Sequence, residues 1–295
     1  MAGEQRIYKQ KIRATETLEK VFSAMELIAA SRVGRARKRA LGQDPYTQAL
    51  TKSIAAVAAH ADESHPMLNE RTDTNRVLVF VVTSDRGMAG AYSASVLREA
   101  DRLREELEAQ GKEPVLYVFG RRGVSHFKFR GVELAGSWTG ESDNPSADTA
   151  HEIAREFLAR FLASPEEGGV AELHTVYTRF ESMITQNVEV RRMLPLVVVD
   201  DEAGLHEEAP LYEFEPSPRQ LFDALLPMYI DQRIYAVLLM AAASELASRQ
   251  QAMHAATENA QNLIEDYTRL ANNARQAEIT TEITEIISGA DSLGK

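Results

Sequence analysis

Apolar positions recur at steps of three and four near both ends of the chain and cluster into short continuous runs through its middle. That pattern predicts two helical arms flanking an α/β domain. From Glu4 to about Ala61 glycine occurs only at 34 and 42, and Leu18, Val21, Phe22, Met25, Ile28 and Ala29 form one apolar stripe. Pro45 should kink or restart this helix, with Asp44 placed to cap the new start. His65 to Asn75 reads as the exit loop, so the first zone is set at 1–62.

The middle zone, 76–200, alternates β-rich and helical runs, the signature of a mainly parallel sheet with helices packed on it. Val77 to Thr83 is an almost unbroken Val, Leu and Phe run, as in a strand buried on both faces. A helix over Ser93–Gln110, a strand over Val115–Phe119, a helix over Ala147–Ala163 and strands over Glu172–Phe180 and Val188–Val199 complete it. Asp200 to Pro218, acidic and holding Pro210, Pro216 and Pro218, reads as a linker.

The last zone, 218–290, predicts a single helix, some seventy residues and so roughly 100 Å long at 1.5 Å per residue. Its small or apolar positions run Ala242, Leu246, Arg249, Met253, Ala256, Ala260, Leu263, Tyr267, Leu270, Ala274 and Ala277, and only Arg249 breaks the pattern. Alternating steps of four and three call for a left-handed coiled coil. The first zone is its natural partner, because the intervening domain returns the chain and pairs the two ends antiparallel. Alanine-rich seams let the helices approach closely, and Pro227 marks an early bend.

Composition narrows what such a molecule does. Apolar residues make up 44%, enough for a core, and there is no cysteine, which removes disulfides and thiolate metal sites. The seven histidines lack ligand spacing, so neither a metal nor a cofactor is expected. Residues 1–20 are interrupted by charges, which argues against an export signal, and the longest apolar run, Ile234–Ala243, is too short for a membrane span. The net charge of −11 argues against general nucleic-acid binding. Its distribution is uneven: the first 58 residues carry eleven Lys or Arg against five acids.

Four parts of the chain carry a family resemblance. Ala274 to Ala290, reading ARQAEITTEITEIISGA, and Lys20 to Arg32, reading KVFSAMELIAASR, resemble the two terminal signatures of gamma subunits of F-type ATP synthases. Thr83 to Gly90, reading TSDRGMAG, is similar to the family's turn after the first strand, and Glu215-Pro216 with Leu221–Pro227 precedes the long helix as in the family. Met88-Ala89 and Ala91-Tyr92 depart from the Leu-Cys and Gly-Leu expected there.

The resemblance implies a non-catalytic central shaft: a coiled coil inside a ring of three alpha and three beta subunits, with the α/β domain as a foot on the membrane rotor ring of c subunits and the epsilon subunit. It implies a peripheral protein on the cytoplasmic face of the cell membrane, coupling proton flow to ATP synthesis or hydrolysis. Beta-subunit contacts would fall on Met25, Arg32, Arg35, Arg249, Arg275, Gln276, Thr280, Glu282 and Glu285. An apolar bearing tip would be formed by Ile286, Ile287, Ala290 and Leu293, and the foot contacts by Tyr212, Phe214, Glu215 and Pro216.

The residues alone leave other readings open. Arg32, Arg35, Arg37, Lys38 and Arg39 suit a solvated face as well as an anionic partner. Ser84 to Gly90 follows a strand and precedes a helix, as a phosphate loop does, but lacks the Gly-Lys-Ser/Thr ending. Glu282 and Glu285 share a helical face without a companion base. The alternative function is an α/β nucleotide- or small-molecule-binding enzyme with helical dimerisation arms. A self-associating tethering coiled coil is the third.

Overall fold

In the computed structural model, residues 2–60, 65–196, 215 and 217–293 are described, excepting the side chains of 2, 3, 44, 59, 60 and 289–293. In chain order the elements are α1 (Ala2–Gly42), α2 (Asp44–His60), β1 (Arg76–Val82), α3 (Tyr92–Ala109), β2 (Glu113–Phe119), α4 (Arg121–Phe129), β3 (Gly136–Trp138), α5 (Ala147–Leu162), β4 (Glu172–Phe180), β5 (Gln186–Leu194) and the 76-residue α6 (Pro218–Leu293). Two compact units result, Ser31–Ser248 and the pair Met1–Ala30 with Arg249–Lys295.

The larger unit is organised by β1. Successive side chains on a strand point to opposite faces, and every residue from Val77 to Val82 is buried, so both faces must be covered. Val77, Val79 and Val81 meet Val96, Ala100, Leu103 and Leu107 of α3 and Phe127 of α4. Leu78, Phe80 and Val82 meet Phe157 and Phe161 of α5 and Phe222, Leu226, Ile230 and Ile234 of α6. The sheet order is β3-β2-β1-β4-β5; β1, β2, β3 and β4 are parallel, and β5 returns antiparallel beside β4. The mainly parallel, Rossmann-like sheet predicted from the sequence is therefore present.

The helix break at Pro45 is present, between α1 and α2, whereas α6 runs on through Pro227. α4 and the three-residue β3 answer to nothing in the sequence pattern. The last strand ends at Leu194, short of the expected Val199, and residues 197–200 lie outside those described. One window of α6 is apolar enough to cross a bilayer by composition, and 44% of it is buried inside the protein. Within α6, Ile230, Ile234, Val237, Leu238 and Ala241 pack in the core beneath the sheet.

At the start of β4, Glu172 accepts a bond from Lys112 Nζ at 2.7 Å and lies 2.7 Å from His174 Nε2. Burial raises the Glu172 carboxyl, but these two bonds outweigh it and hold it below its ordinary 4.5. Burial likewise lowers His174 from 6.5, and Glu172 only partly offsets this. Both groups are depressed, so the unfolded chain takes up protons first and acid destabilises. We expect the urea midpoint of the larger unit to start falling below pH 6.5 through His174, and further below 4.5 through Glu172. His174→Gln should remove the upper part of that decline. An unchanged pH profile in the variant would contradict the assignment.

In the smaller unit α1 and α6 pair antiparallel. His254 Nδ1 lies 3.0 Å from Glu26 Oε1, Gln261 Nε2 donates to Glu19 Oε1 at 3.2 Å, and Lys11 Nζ sits 5.3 Å from the Tyr267 ring centre. One number falls as the other rises, so the predicted antiparallel coiled coil of the two ends is present. The pairing has a consequence for the stripes. On α1 the covered positions include Gln5, Tyr8, Ile12, Thr15, Glu19, Phe22, Glu26 and Ala29, an alternation of three and four, with Ser23 and Met25 half-covered beside it. Phe22, Met25 and Ala29 of the expected stripe are covered or half-covered. Leu18, Val21 and Ile28 instead face outward at 51%, 48% and 53% exposure.

On α6 the expected seam holds at Arg249, Met253, Ala256, Ala260, Tyr267 and Ala274. Its other row moves by one residue: Leu263, Leu270 and Ala277 are exposed, while Ile264, Ala271 and Glu278 are covered. The cause is one extra step of four, Arg249 to Met253 to Thr257, which absorbs the drift between 3.5 and 3.6 residues per turn.

Candidate functional site

Two regions carry the exposed chemistry, one in each unit. In the smaller unit, the α1–α6 register brings Ala2, where α1 begins, alongside Glu278, so α6 continues without that partner. Beyond Glu278, Ile279, Ile283, Ile286 and Ile287 are 44%, 51%, 71% and 58% exposed. Steps of four, three and one place them on one side of the helix. Ile286 and Ile287 belong to the tip expected from the sequence; the side chains of Ala290 and Leu293 lie outside the described residues. Ile279 and Ile283 extend the patch towards the coiled coil, and their spacing in the sequence was the available signal.

Around that apolar patch stand exposed polar groups: Arg275, Gln276, Thr280, Glu282 and Glu285. Thr280 is less free than its exposure suggests, because its hydroxyl donates to Gln276 O at 2.9 Å. Arg249 differs from these, being 7% exposed. Met25 is half-covered on α1.

The second region is in the larger unit, where the loops at the carboxyl ends of the parallel strands gather. Thr83 Oγ1 caps the start of α4 by accepting from Gly123 N at 2.9 Å. Gly120, at φ 99°, lets β2 turn there; a Cβ on it would fall 2.2 Å from Thr83 O. Asp85 holds the neighbouring loop, accepting from Gly140 N at 2.7 Å and Ser142 N at 3.0 Å. Met88, at φ 61°, and Gly90, at φ 56°, take the left-handed conformations that make the Ser84–Gly90 turn sharp. Met88 is exposed there.

These loops wall a cavity of about 690 Å³ with Arg32, Arg35 and Arg39 of α1, Arg86, residues 140, 141 and 143–146, and Leu239 and Ala242 of α6. Arg32 Nη1 donates to Asp143 Oδ2 at 2.6 Å. Arg39 donates to Asn144 Oδ1, Pro145 O and Tyr235 Oη at 2.6, 3.0 and 2.8 Å. Arg39 joins Arg32 and Arg35 from the basic run read in the sequence, whereas nothing in the sequence pointed to Arg86 as their neighbour. Among the described residues no group of three or more His, Asp or Glu could hold a metal ion. Of the expected foot contacts, Glu215 is exposed in a bend, and Tyr212, Phe214 and Pro216 lie outside the described residues.

A family model described as ATP synthase matches residues 4–293. The ATP synthase gamma chain of Beutenbergia cavernae is 60% identical over 295 residues, covering 99% of each chain. The chain belongs to the ATP synthase gamma chain family. The gamma chain of Pseudarthrobacter chlorophenolicus is 52% identical over 294 residues, again covering 99% of each. Among solved structures, a chain of the Euglena gracilis mitochondrial ATP synthase (OSCP/F1/c-ring) aligns with TM-score 0.67 at 16% identity, covering 99% of this chain and 95% of that one. A chain of the Tetrahymena thermophila mitochondrial enzyme's central stalk and c-ring gives TM-score 0.56 at 22% identity, covering 80% and 99%. At such identities these two speak to the fold alone.

Proposed function

We propose that this chain is the central rotor shaft of an F-type ATP synthase, coupling proton flow to ATP synthesis or hydrolysis on a ring of three alpha and three beta subunits. The observation that carries the reading is the antiparallel α1–α6 pair whose longer helix ends in exposed isoleucines. Two wound helices resist bending, and their unequal ends make the rod asymmetric, so rotation presents each beta subunit with a different face in turn. An apolar tip slides in a sleeve because dispersion contacts are non-directional. The polar ring of Arg275, Gln276, Thr280, Glu282 and Glu285 adds directional bonds that set preferred angles, each exchanged for an equivalent one at the next subunit. Met25, Arg32 and Arg35 on α1 and Arg249 on α6 supply further beta contacts.

The zones 1–62, 76–200 and 218–290 divide the labour, with the middle one as the foot. Tyr212, Phe214, Glu215 and Pro216 meet the c-ring and the epsilon subunit, placing the chain peripherally on the cytoplasmic face of the cell membrane. The chain itself turns over no substrate; its chemistry is mechanical.

The test is reconstitution. Alone, the chain should hydrolyse no ATP; mixed with alpha and beta subunits it should restore coupled hydrolysis. Turnover by the chain alone would instead favour an α/β enzyme with helical arms. Within the complex, Gln276→Leu should lower ATP-driven proton pumping by about tenfold, the equivalent of about 1.4 kcal/mol, in line with one charge-assisted bond. Glu106→Gln, on the exposed side of α3, should leave it unchanged. Equal pumping by the two variants would remove Gln276 from the contact.

A further inference from the structure

The cavity walled by Arg32, Arg35, Arg39 and Arg86 has a charge imbalance within the chain itself. Of its four guanidiniums, Arg32 is matched by Asp143. Arg39 is held by an amide oxygen, a backbone carbonyl and a phenol, all neutral, so its charge is placed but uncompensated. For Arg35 and Arg86 no hydrogen bond or ion pair of the guanidinium is recorded among the described residues, and they come from different elements, α1 and the turn after β1.

The carboxylates that line this cavity are already committed, Asp143 to Arg32. Glu141 accepts from Ser146 N at 3.0 Å and from the hydroxyls of Ser146 and Thr149 at 2.9 Å each. Burial raises it, yet these bonds outweigh burial and keep it ionised. Asp85, just behind, is tied to the amides of Gly140, Ser142 and Arg121. Neither is offered to Arg35 or Arg86. Over Ala36 and Ala242 the floor is short-chained, which leaves depth for a ligand.

We propose that this cavity is a binding site for an oligophosphate anion, with Arg35 and Arg86 supplying guanidinium forks and Arg39 a fixed positive charge at the wall. A planar guanidinium matches two phosphate oxygens at once, which an ammonium cannot. A free linear phosphate fits a recess walled by loops and a helix; an extended acidic chain needs an open groove. The proposal stands apart from the shaft reading, since a chain that restores coupling need not bind phosphate and the reverse.

The experiment is calorimetric titration of the full chain with inorganic pyrophosphate. One saturable site per chain is expected, weakening with added salt. Arg35→Gln and Arg86→Gln should each lower affinity by about tenfold, and together by more. Lys38→Gln, exposed on the same helix but outside the cavity, should change it less than twofold. Both arginines are surface side chains, so the far-ultraviolet circular dichroism of the variants should match the parent. Absence of saturable binding, equal loss in Lys38→Gln, or saturation by an acidic peptide in place of pyrophosphate would each overturn the assignment.

Discussion

Phe157→Ala is expected to lower the stability of the larger unit by about 3–5 kcal/mol, the usual cost of emptying a buried aromatic site. Phe157 on α5 is fully buried. Its ring meets Phe80 at 5.0 Å, Tyr117 at 5.2 Å and Trp138 at 6.0 Å, edge-on in each case. Those partners stand on β1, β2 and β3, so one side chain fastens three adjacent strands to the helix layer. The partners are themselves fixed: Tyr117 Oη lies 3.0 Å from Glu156 Oε1, and Trp138 Nε1 donates to Glu152 Oε1 at 2.9 Å. Little collapse into the cavity is therefore possible, which puts the loss at the upper end. Urea denaturation should show a lower midpoint at unchanged slope. Phe157→Leu, which keeps most of the volume, should cost less than half as much. A loss below about 1 kcal/mol for the alanine variant would mean that the aromatic cluster does not hold the sheet to α5.

Ending the chain after Ala274 is expected to separate the two units functionally. The removed segment holds Gln276, Thr280, Glu282, Glu285 and the exposed isoleucines, and none of its described side chains belongs to the cores of the larger unit. The urea midpoint of that unit should be unchanged. Affinity for the alpha and beta subunits should fall by at least tenfold, or about 1.4 kcal/mol. Burial of a single isoleucine contributes about that much, and four are lost. Unfolding of the middle strands by this truncation would show that the tail belongs to the globular unit. Undiminished assembly would show that the tip is not gripped.

The sheet was legible because β1 is a short run of six buried residues between polar ends, four of them valine, which by length and β-branching fits a strand covered on both faces. α4 was not, since Arg121–Phe129 is short and polar, with Gly123 and Phe127 as its buried residues. Its position depends on Gly120, Thr83 and Asp85, contacts between segments far apart in the chain. β5 stops at Leu194, opposite Leu173, because β4 begins at Glu172 and offers almost no further partner; Pro195 and Leu196 lie outside the strand, and 197–199 lie outside the described residues.

The helical arms were legible as helices and as an antiparallel pair, but not in the details of facing. An apolar stripe names a face only when one side of a helix is wet. α1 carries apolar residues on both its covered and its outward sides, so Leu18, Val21 and Ile28 looked like seam and are not. On α6 the extra step of four is invisible in a row where alanines fill neighbouring positions, as at Ala255 and Ala256. The arginine cavity was half legible: Arg32 and Arg35 stood out as a basic run, whereas Arg86 joins them only through the fold.

Rotation can be watched directly, because the chain has no cysteine and one introduced at the exposed Gln110 labels a single site on the foot. With the alpha and beta subunits fixed to a surface and ATP supplied, a probe on Gln110→Cys should turn in one direction, pausing three times in each revolution. A probe that stays still while the complex hydrolyses ATP would contradict the shaft.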